Sequence, residues 1–203
     1  MARTQAADFG RRREEIIDRA AKLFAQRGFL GTSIAELAVA CDVSKSLIYH
    51  YFGSKEDLLY EAMASHVDAL TATAEQALAA GPADEQFRRL AKGFMALYVD
   101  AAARHQVLLN DPGYLPGERR DSIFARQRNL IRIVEGMLAE AHPALLRRKG
   151  LLRTRTMLFF GMINWTHTWF NPSGPISPDQ VADMACDMIL AAVAAQEPAG
   201  EPV

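Results

Sequence analysis

The stretch from Arg13 to Leu59 constrains the fold more than any other part of the chain, because it predicts three short helices in quick succession. Apolar residues recur on one helical face from Ile16 to Phe24, which indicates the first helix, and Gly28 is suited to end it. Ser33 and Glu36 form a capping box, which predicts that a second helix begins there. Helices of this kind bury one face each and can build a small helical domain.

A tight turn at Cys41–Asp42 separates the second helix from the third, and aspartate tolerates the left-handed conformation better than most residues. Ser44 can cap the third helix, Lys45–Tyr51, and Ser54 can cap a fourth. Two helices joined in this way form a helix–turn–helix, which places its second helix in the DNA major groove. The pattern therefore predicts DNA binding, with the rest of the chain regulating that binding.

Five segments in fixed order carry a resemblance to a known family: Ala20–Phe24, Gly28–Phe29, Gly31–Ile34, Val43–Phe52 and Ser54–Leu59. Residues 13–59 thereby resemble the N-terminal domain of TetR-family transcriptional repressors. The sequence departs from the family pattern at Asp42, where glycine is usual, and at Leu47, where a small or hydroxyl-bearing residue is common. Neither departure threatens the fold, but Leu47 could change which base steps are read.

By this resemblance, seven residues are candidate DNA contacts: Thr32, Ser33, Lys45, Ser46, Tyr49, His50 and Lys55. Lys45 and Ser46 would make base-edge and phosphate contacts from the N-terminus of the third helix. The hydroxyl groups of Thr32 and Tyr49 suit phosphate oxygens, and Lys55 lies at a helix N-terminus that already favours phosphate. The alternatives are that Tyr49 is packed and that His50 is a neutral spacer.

Arg11, Arg12 and Arg13 are expected to precede the first helix. Positive charge at a helix N-terminus is mildly unfavourable, so the three arginines favour a role outside the fold. We expect an arm that reaches phosphate or the minor groove. A solvated, solubilising tail is the alternative.

Composition favours an intracellular regulator. The 203 residues are 50% hydrophobic with a formal net charge of −1, so DNA affinity must come from local placement of charge. Cys41 and Cys186 lie far apart in sequence and suggest no disulfide framework, which fits a reducing cytoplasm. No secretory signal, bilayer-spanning stretch, metal-ligand spacing, phosphate-cradling loop or nucleophile–base pair is evident. We expect a cytoplasmic protein that is not an enzyme and has no cofactor and no membrane partner.

The remainder of the chain predicts helices and no strand. Amphipathic segments and their breakers, notably Gly81–Pro82 and Asp111–Gly117, outline a C-terminal antiparallel helical bundle in an all-α fold of about nine helices. We expect a helix–turn–helix DNA-binding domain at residues 1–55 and a ligand-binding and dimerisation domain at residues 56–196. The Pro/Gly-rich tail, 197–203, is expected to be disordered.

The last two helices look too apolar for the surface of a monomer. The segment Met157–Trp169 is hydrophobic on nearly every side and has to be covered, which a partner subunit would do. A homodimer also suits a palindromic operator, because protein symmetry then mirrors half-site symmetry. TetR-like proteins dimerise through their last two helices, so the resemblance implies the same arrangement. The alternative is that these residues fill only the intramolecular core.

The segment Met157–Phe170, followed by Pro172–Pro178, resembles the C-terminal domains of TetR-like repressors of fatty-acid, phenylacetate and sterol-side-chain catabolism. Members of that group sense CoA thioesters, which implies an acyl-CoA or aryl-acetyl-CoA effector. Aromatic side chains would wall the acyl site, polar ones would lie near the thioester carbonyl, and arginine is well matched to phosphates. The candidate ligand residues are Phe94, Tyr98, Phe124, Arg128, Phe160, Asn164, Trp165, Thr168 and Trp169.

Three other interpretations stay open. A TetR-like repressor of a multidrug efflux gene would respond to lipophilic compounds, an architectural DNA-binding protein would have no ligand, and an enzyme would turn thioesters over. An aromatic residue at helical spacing is also more often core than binding site, and the arginines can form a solvated face. Asn164 is harder to explain as core, because a buried amide needs partners, whether in a ligand or across a dimer.

Overall fold

A computed structural model describes residues 2–79, 81–147 and 149–194, and within them the chain is all-α, as the sequence predicts. Short 3-10 helices cover Pro112–Tyr114, Pro143–Arg147 and Trp165–Thr168. The predicted disordered tail, 197–203, lies outside the described residues. The α-helices are α1 (Ala2–Arg27), α2 (Ile34–Cys41), α3 (Lys45–Tyr51), α4 (Lys55–Leu78), α5 (Ala83–Asp100), α6 (Ala102–Asn110), α7 (Gly117–Ala141), α8 (Leu151–Asn164) and α9 (Pro178–Ala194).

Local capping signals place the ends of α1, α2 and α3 where the sequence predicts them. Gly28 has a φ of 75° after α1, a conformation that glycine adopts without steric cost. Ser33 Oγ accepts from the backbone N–H of Glu36 at 3.2 Å, and the Ser33 N–H donates to Glu36 Oε2 at 2.8 Å. Asp42 has a φ of 54°, and Ser44 Oγ accepts from the Leu47 N–H at 3.1 Å. The capping box and the tight helix–turn–helix turn are thereby confirmed.

The N-terminal arginines are not an arm ahead of the first helix, and that prediction is wrong. α1 begins at Ala2, so Arg11, Arg12 and Arg13 lie within it. Arg11 pairs with Asp8 at 2.5 Å and with Glu15 at 2.9 Å, the helical spacings at which opposite charges meet. These acidic neighbours on the same helix face offset the unfavourable charge that suggested a role outside the fold.

The chain packs into two compact units that differ from the predicted division at residue 55. The first unit comprises residues up to Asp68 together with Ala101–Arg126, and the second comprises Ala69–Asp100 together with the residues from Gln127 onward. α6 belongs to the first unit because it packs on α1, and its Val107 and Leu108 lie in the core shared with α1 to α4. This division into two units depends on contacts between segments that are distant in sequence. The spacing of residues along the chain does not reveal such contacts.

In the second unit, α5 packs along α9 around an aromatic and aliphatic core that includes Phe87 and Ile189. Arg88 of α5 pairs with Asp187 of α9 at 2.6 Å and also lies 3.8 Å from Asp183. Cys186 lies fully buried between these helices, and burial raises the pKa of its thiol to about 12. The thiol therefore stays protonated and acts as a packed core group.

Candidate DNA-binding surface and effector region

Helix α3 presents an exposed face that carries four of the predicted DNA contacts. The side chains of Lys45, Ser46, Tyr49 and His50 are exposed, while Ile48 on the opposite side is fully buried. Tyr49 is therefore not packed in the core, which was the alternative for this residue. The face combines a cation, hydroxyl groups and an imidazole, which are groups able to meet phosphates and base edges.

Phe9, near the start of α1, packs against the C-terminal end of α3, and it is not among the predicted site residues. The ring of Phe9 lies 4.5 Å from that of Tyr51 and, edge-on, 6.2 Å from that of His50. Arg13, four residues further along α1, lies over the ring of Phe52. Phe9 continues the helical spacing of the buried α1 residues towards the N-terminus, and that periodicity is the signal that could have found it.

Two predicted contacts on the approach to α2 have their hydroxyl groups engaged inside the unit. Thr32 is only 1% exposed, and its Oγ1 donates to the carbonyl oxygen of Gly28 at 3.0 Å. This differs from the expected hydroxyl group facing phosphate. Ser33 is exposed, but its Oγ lies 2.8 Å from Glu36 Oε2 as part of the capping box. The backbone and hydroxyl hydrogen bonds from Ser33 lower the pKa of Glu36, which keeps this carboxylate charged as the cap partner.

Lys55 is likewise turned towards its own unit. Its Nζ donates to the backbone carbonyl oxygens of Phe29 and Thr32, each at 2.9 Å, and lies 4.1 Å from the centroid of the Phe29 ring. From sequence, this ammonium group is expected to face phosphate at the N-terminus of α4. The structure instead places it across the turn between α1 and α2.

Four of the predicted ligand residues meet in the interior of the second unit. The Tyr98 hydroxyl group donates to Asn164 Oδ1 at 2.7 Å, and burial raises the pKa of Tyr98, so that its proton stays in place. Phe94 is fully buried, and its ring stacks on that of Phe160 with centroids 6.2 Å apart. The Tyr98–Asn164 pair thus has the Phe94 ring beside it, with the Tyr98 and Phe94 centroids 6.2 Å apart.

Trp165 and Trp169 lie on the outside of the second unit instead of lining that interior. They are 64% and 61% exposed, and they flank a groove of about 610 Å³ between α8 and α9. α8 ends at Asn164 and continues as a 3-10 helix, which changes the direction of the side chains that follow. Thr168 is also exposed, with its Oγ1 donating to the Trp165 carbonyl oxygen at 2.8 Å. Other residues lining the groove are Met157, Leu158, Gly161, Met162, Met184 and Met188.

The two predicted ligand residues on α7 are not part of the aromatic interior around Phe94. Phe124 belongs to the first unit and is 38% exposed, whereas Phe94 belongs to the second. Arg128 is exposed, and its carbonyl oxygen accepts a long hydrogen bond from Arg132 Nε at 3.4 Å.

Metal clusters and membrane-spanning helices were looked for in the described part of the chain. No three histidine, cysteine, aspartate or glutamate side chains among those residues are grouped so that they could hold a metal ion. Within the same ranges, no helix combines the length and the hydrophobicity that a bilayer crossing requires.

Comparison with known proteins decides the family. Residues 16–62 match the family described as bacterial regulatory proteins, tetR family, and residues 80–193 match the tetracyclin repressor-like C-terminal domain. The crystal structure of a TetR-family transcriptional regulator from Bordetella parapertussis 12822 is 40% identical, with a TM-score of 0.83 over 88% of this chain and 93% of that one. The chain belongs to the TetR family. This TetR-family protein is therefore a transcriptional regulator and not an enzyme.

Two further relatives of this TetR-family regulator match it over most of its length. The crystal structure of AibR in complex with isovaleryl coenzyme A and operator DNA is 28% identical, with a TM-score of 0.76 over 87% of this chain and 97% of that one. The HTH-type transcriptional repressor KstR2 of Mycolicibacterium smegmatis is 25% identical over 187 residues, which is 90% of each protein. Both similarities extend well beyond the helix–turn–helix segment.

Proposed function

We propose that this chain is a homodimeric TetR-family repressor that binds a palindromic operator and is released from it by an acyl-CoA or aryl-acetyl-CoA thioester. The observation that carries the thioester and operator parts of the proposal is the similarity to AibR, whose structure holds isovaleryl coenzyme A and operator DNA together. Release by the thioester is the part that the titration below tests. That similarity covers 87% of the chain, including the region that would hold the effector. The TetR assignment supports DNA binding, and the aromatic side chains near Tyr98 have the chemistry that would suit an acyl or aryl group.

The operator would be read by the exposed face of α3, with Lys45, Ser46, Tyr49 and His50 as its contacts. The side chains of these residues are exposed on a helix that is anchored by Ile48 and capped by Ser44. A dimer would place two such faces in successive major grooves about 34–36 Å apart. Positive charge and hydroxyl groups near the helix N-terminus supply phosphate contacts, which fix the register of the helix on the duplex.

The dimer would form through the groove between α8 and α9 and the exposed apolar side chains around it. Trp165, Trp169 and Met188 are each more than half exposed, and Leu158 adds to the same apolar surface. Aromatic and methionine side chains are enriched at the cores of protein interfaces. A second subunit related by a twofold axis would cover this surface. The dimer would then have the same twofold symmetry as a palindromic operator.

The acyl part of the effector would enter the aromatic interior near Tyr98 and Asn164. A thioester carbonyl can accept the Tyr98 hydrogen bond only if the Tyr98–Asn164 pair opens, because a hydroxyl group has one proton to donate. Opening that pair would change how α5 and α8 are held together in the second unit. Ligand binding would thereby favour one of two arrangements, which is what an allosteric effector requires.

Fluorescence anisotropy on DNA from upstream of the protein's own gene tests this function. Isovaleryl-CoA, phenylacetyl-CoA and a long-chain acyl-CoA are titrated into the complex, with free CoA as the matched control that lacks an acyl group. We expect one thioester to release the DNA at micromolar concentration while free CoA leaves it bound. Tyr98→Phe should need more of that thioester for release, because it lacks the hydroxyl group that would donate to the thioester carbonyl.

The other outcomes separate the alternatives. DNA binding that none of the thioesters changes would refute the effector assignment, and release by lipophilic cations would then identify an efflux repressor. Tighter binding with a thioester would contradict release, while leaving the thioester as the effector. An absence of specific DNA binding, with the protein folded, would refute the proposed operator recognition.

A further inference from the structure

The third helix has few anchors of its own. α3 spans the seven residues Lys45–Tyr51, and among these described side chains Ile48 alone is fully buried. A helix this short is not stable by itself in water and takes its orientation from the surfaces against which it packs. Ser44 caps its N-terminal end. The C-terminal end, which carries His50 and Tyr51, depends on contacts from another element.

Phe9 of α1 supplies such a contact. Its ring centroid lies 4.5 Å from that of Tyr51 and, edge-on, 6.2 Å from that of His50. The His50 and Tyr51 rings also meet edge to face, with centroids 5.8 Å apart. These three rings form one group, the Phe9 cluster, at separations where aromatic pairs attract. Phe9 is 46% exposed, so the cluster lies at the surface of the unit.

Arg13 adds a second contact one turn further along α1. Its guanidinium group lies over the ring of Phe52, 5.3 Å from the centroid, and pairs with Glu61 of α4 at 2.7 Å. Phe52 is the C-cap residue of α3 and is buried. Phe9 and Arg13 are four residues apart, so they share one face of α1. Two successive turns of α1 therefore hold the C-terminal end of α3.

We propose that Phe9 is a positioning residue that holds the imidazole of His50 in the orientation in which it meets the operator. The inference rests on the proposed reading of the operator by α3, in which His50 is a contact. The His50 side chain is exposed, so without the Phe9 ring beside it the imidazole would sample several rotamers. Binding to DNA would then have to fix one of them, and a side chain that is already oriented avoids that entropic cost. Removing the Phe9 ring therefore weakens operator binding through His50.

A double-mutant cycle in operator affinity tests this route. Phe9→Ala should weaken binding about two- to tenfold, the range expected for the loss of one aromatic contact. Alanine is the best helix former, so the substitution keeps α1 helical. In a His50→Ala background the same substitution should cost much less, because the ring that Phe9 orients is absent. Equal losses in the two backgrounds would overturn the proposal and indicate that Phe9 contacts DNA directly.

Lys45 provides the matched control for this cycle. It lies at the opposite end of α3 from the Phe9 cluster, so the losses in Phe9→Ala and Lys45→Met should add. Coupling to Lys45 as strong as coupling to His50 would mean that Phe9 stabilises the whole unit, which contradicts a positioning role. Phe9→Tyr keeps an aromatic ring and should bind the operator as the wild type does. Binding by Phe9→Tyr as weak as that of Phe9→Ala would also contradict the proposal.

Amide hydrogen exchange in the free protein reports on the same contact without DNA. The Phe52 N–H donates to the Ile48 carbonyl oxygen at 2.8 Å and closes the last turn of α3. We expect Phe9→Ala to speed exchange at this amide about two- to tenfold, while the Glu36 amide at the start of α2 is unchanged. Unchanged exchange at Phe52 would overturn the inference. Faster exchange at Phe52, in a protein whose wild type binds no operator, would instead refute the proposed function and leave the Phe9 contact itself intact.

Discussion

The Tyr98 hydroxyl group and the Asn164 side-chain carbonyl share a hydrogen bond of 2.7 Å in the interior of the second unit. This pair joins α5 to the last residue of α8. An amide near the end of an apolar helix needs such a partner, because an unpaired polar group in that position is costly. The bond therefore stabilises the unit and is also the polar contact that an acyl ligand would have to replace.

Tyr98→Phe should lower the free energy of unfolding by about 1–3 kcal/mol, because it leaves a part-buried carbonyl oxygen without its donor. Urea unfolding followed by circular dichroism measures the difference. Tyr49→Phe is the matched control, since the Tyr49 side chain is exposed on α3. Equal unfolding free energies for Tyr98→Phe and the wild type would show that the hydrogen bond contributes nothing net.

Met188→Glu should separate the proposed dimer, because it places a charge on the apolar groove between α8 and α9. Sedimentation velocity at micromolar concentration should show a monomer for this variant and a dimer for the wild type. Leu146→Glu is the control: Leu146 is 63% exposed and Met188 64% exposed, but Leu146 does not line the groove. A Met188→Glu protein that sediments as the wild type does would place the subunit interface elsewhere.

Gly28→Ala should destabilise the protein by about 1 kcal/mol, because alanine is strained in the left-handed conformation. The φ of Gly28 is 75°, and a Cβ there would meet no other atom within 4 Å, so strain is the sole expected cost. Gly136→Ala, within α7 and equally uncrowded, should raise stability by about 0.5–1 kcal/mol through helix propensity. Thermal unfolding should move in opposite directions for the two variants. Movement in the same direction would contradict this account.

His66 makes stability depend on pH below neutrality. Its Nε2 lies 3.2 Å from Nδ1 of the buried His105, and burial, aided by the nearby charge of Arg104, lowers the pKa of His66 to about 4. The unfolded chain has a histidine pKa of about 6.5, so between the two values it binds a proton that the folded protein does not. Folding stability is therefore fully present above about pH 7 and is lost as pH falls, by up to about 1.4 kcal/mol per pH unit.

The His66→Gln variant isolates this effect. Between about pH 7 and pH 5, we expect the wild type to lose about 1–3 kcal/mol more unfolding free energy than the variant does. Urea unfolding at both pH values provides the comparison, and titrating carboxylates contribute to both proteins alike. Equal losses would mean that His66 takes up its proton in the folded state as readily as in the unfolded one.

Local chemistry explains why the helix–turn–helix could be predicted from sequence. The capping box of Ser33 and Glu36 spans three residues, and the left-handed turn at Asp42 depends on that residue's own tolerance. Ile48 points into the core, so its neighbour Tyr49 lies on the exposed side of the short helix α3 and Leu47 is partly exposed. None of these features needs information about distant parts of the chain.

Features that depend on distant partners could not be predicted in this way. The start of α6 follows Ala101, which has no proline, glycine or side-chain cap to mark the break. The burial of Thr32 and the hydrogen bonds of Lys55 depend on the Gly28–Phe29 turn and on how α4 returns to it. The aromatic character of Trp165 and Trp169 predicts a place in a binding site, whereas the orientation of their side chains depends on where α8 gives way to a 3-10 helix.

Reciprocal linkage between effector and operator tests release by a thioester most directly. Isothermal titration calorimetry gives the Kd of isovaleryl-CoA, or of whichever thioester is active, for the free protein and for the operator complex. We predict weaker binding to the complex, by the same factor by which the thioester weakens operator affinity, because coupling free energy is shared by both ligands. Equal Kd values in the two titrations would contradict an effector-released repressor.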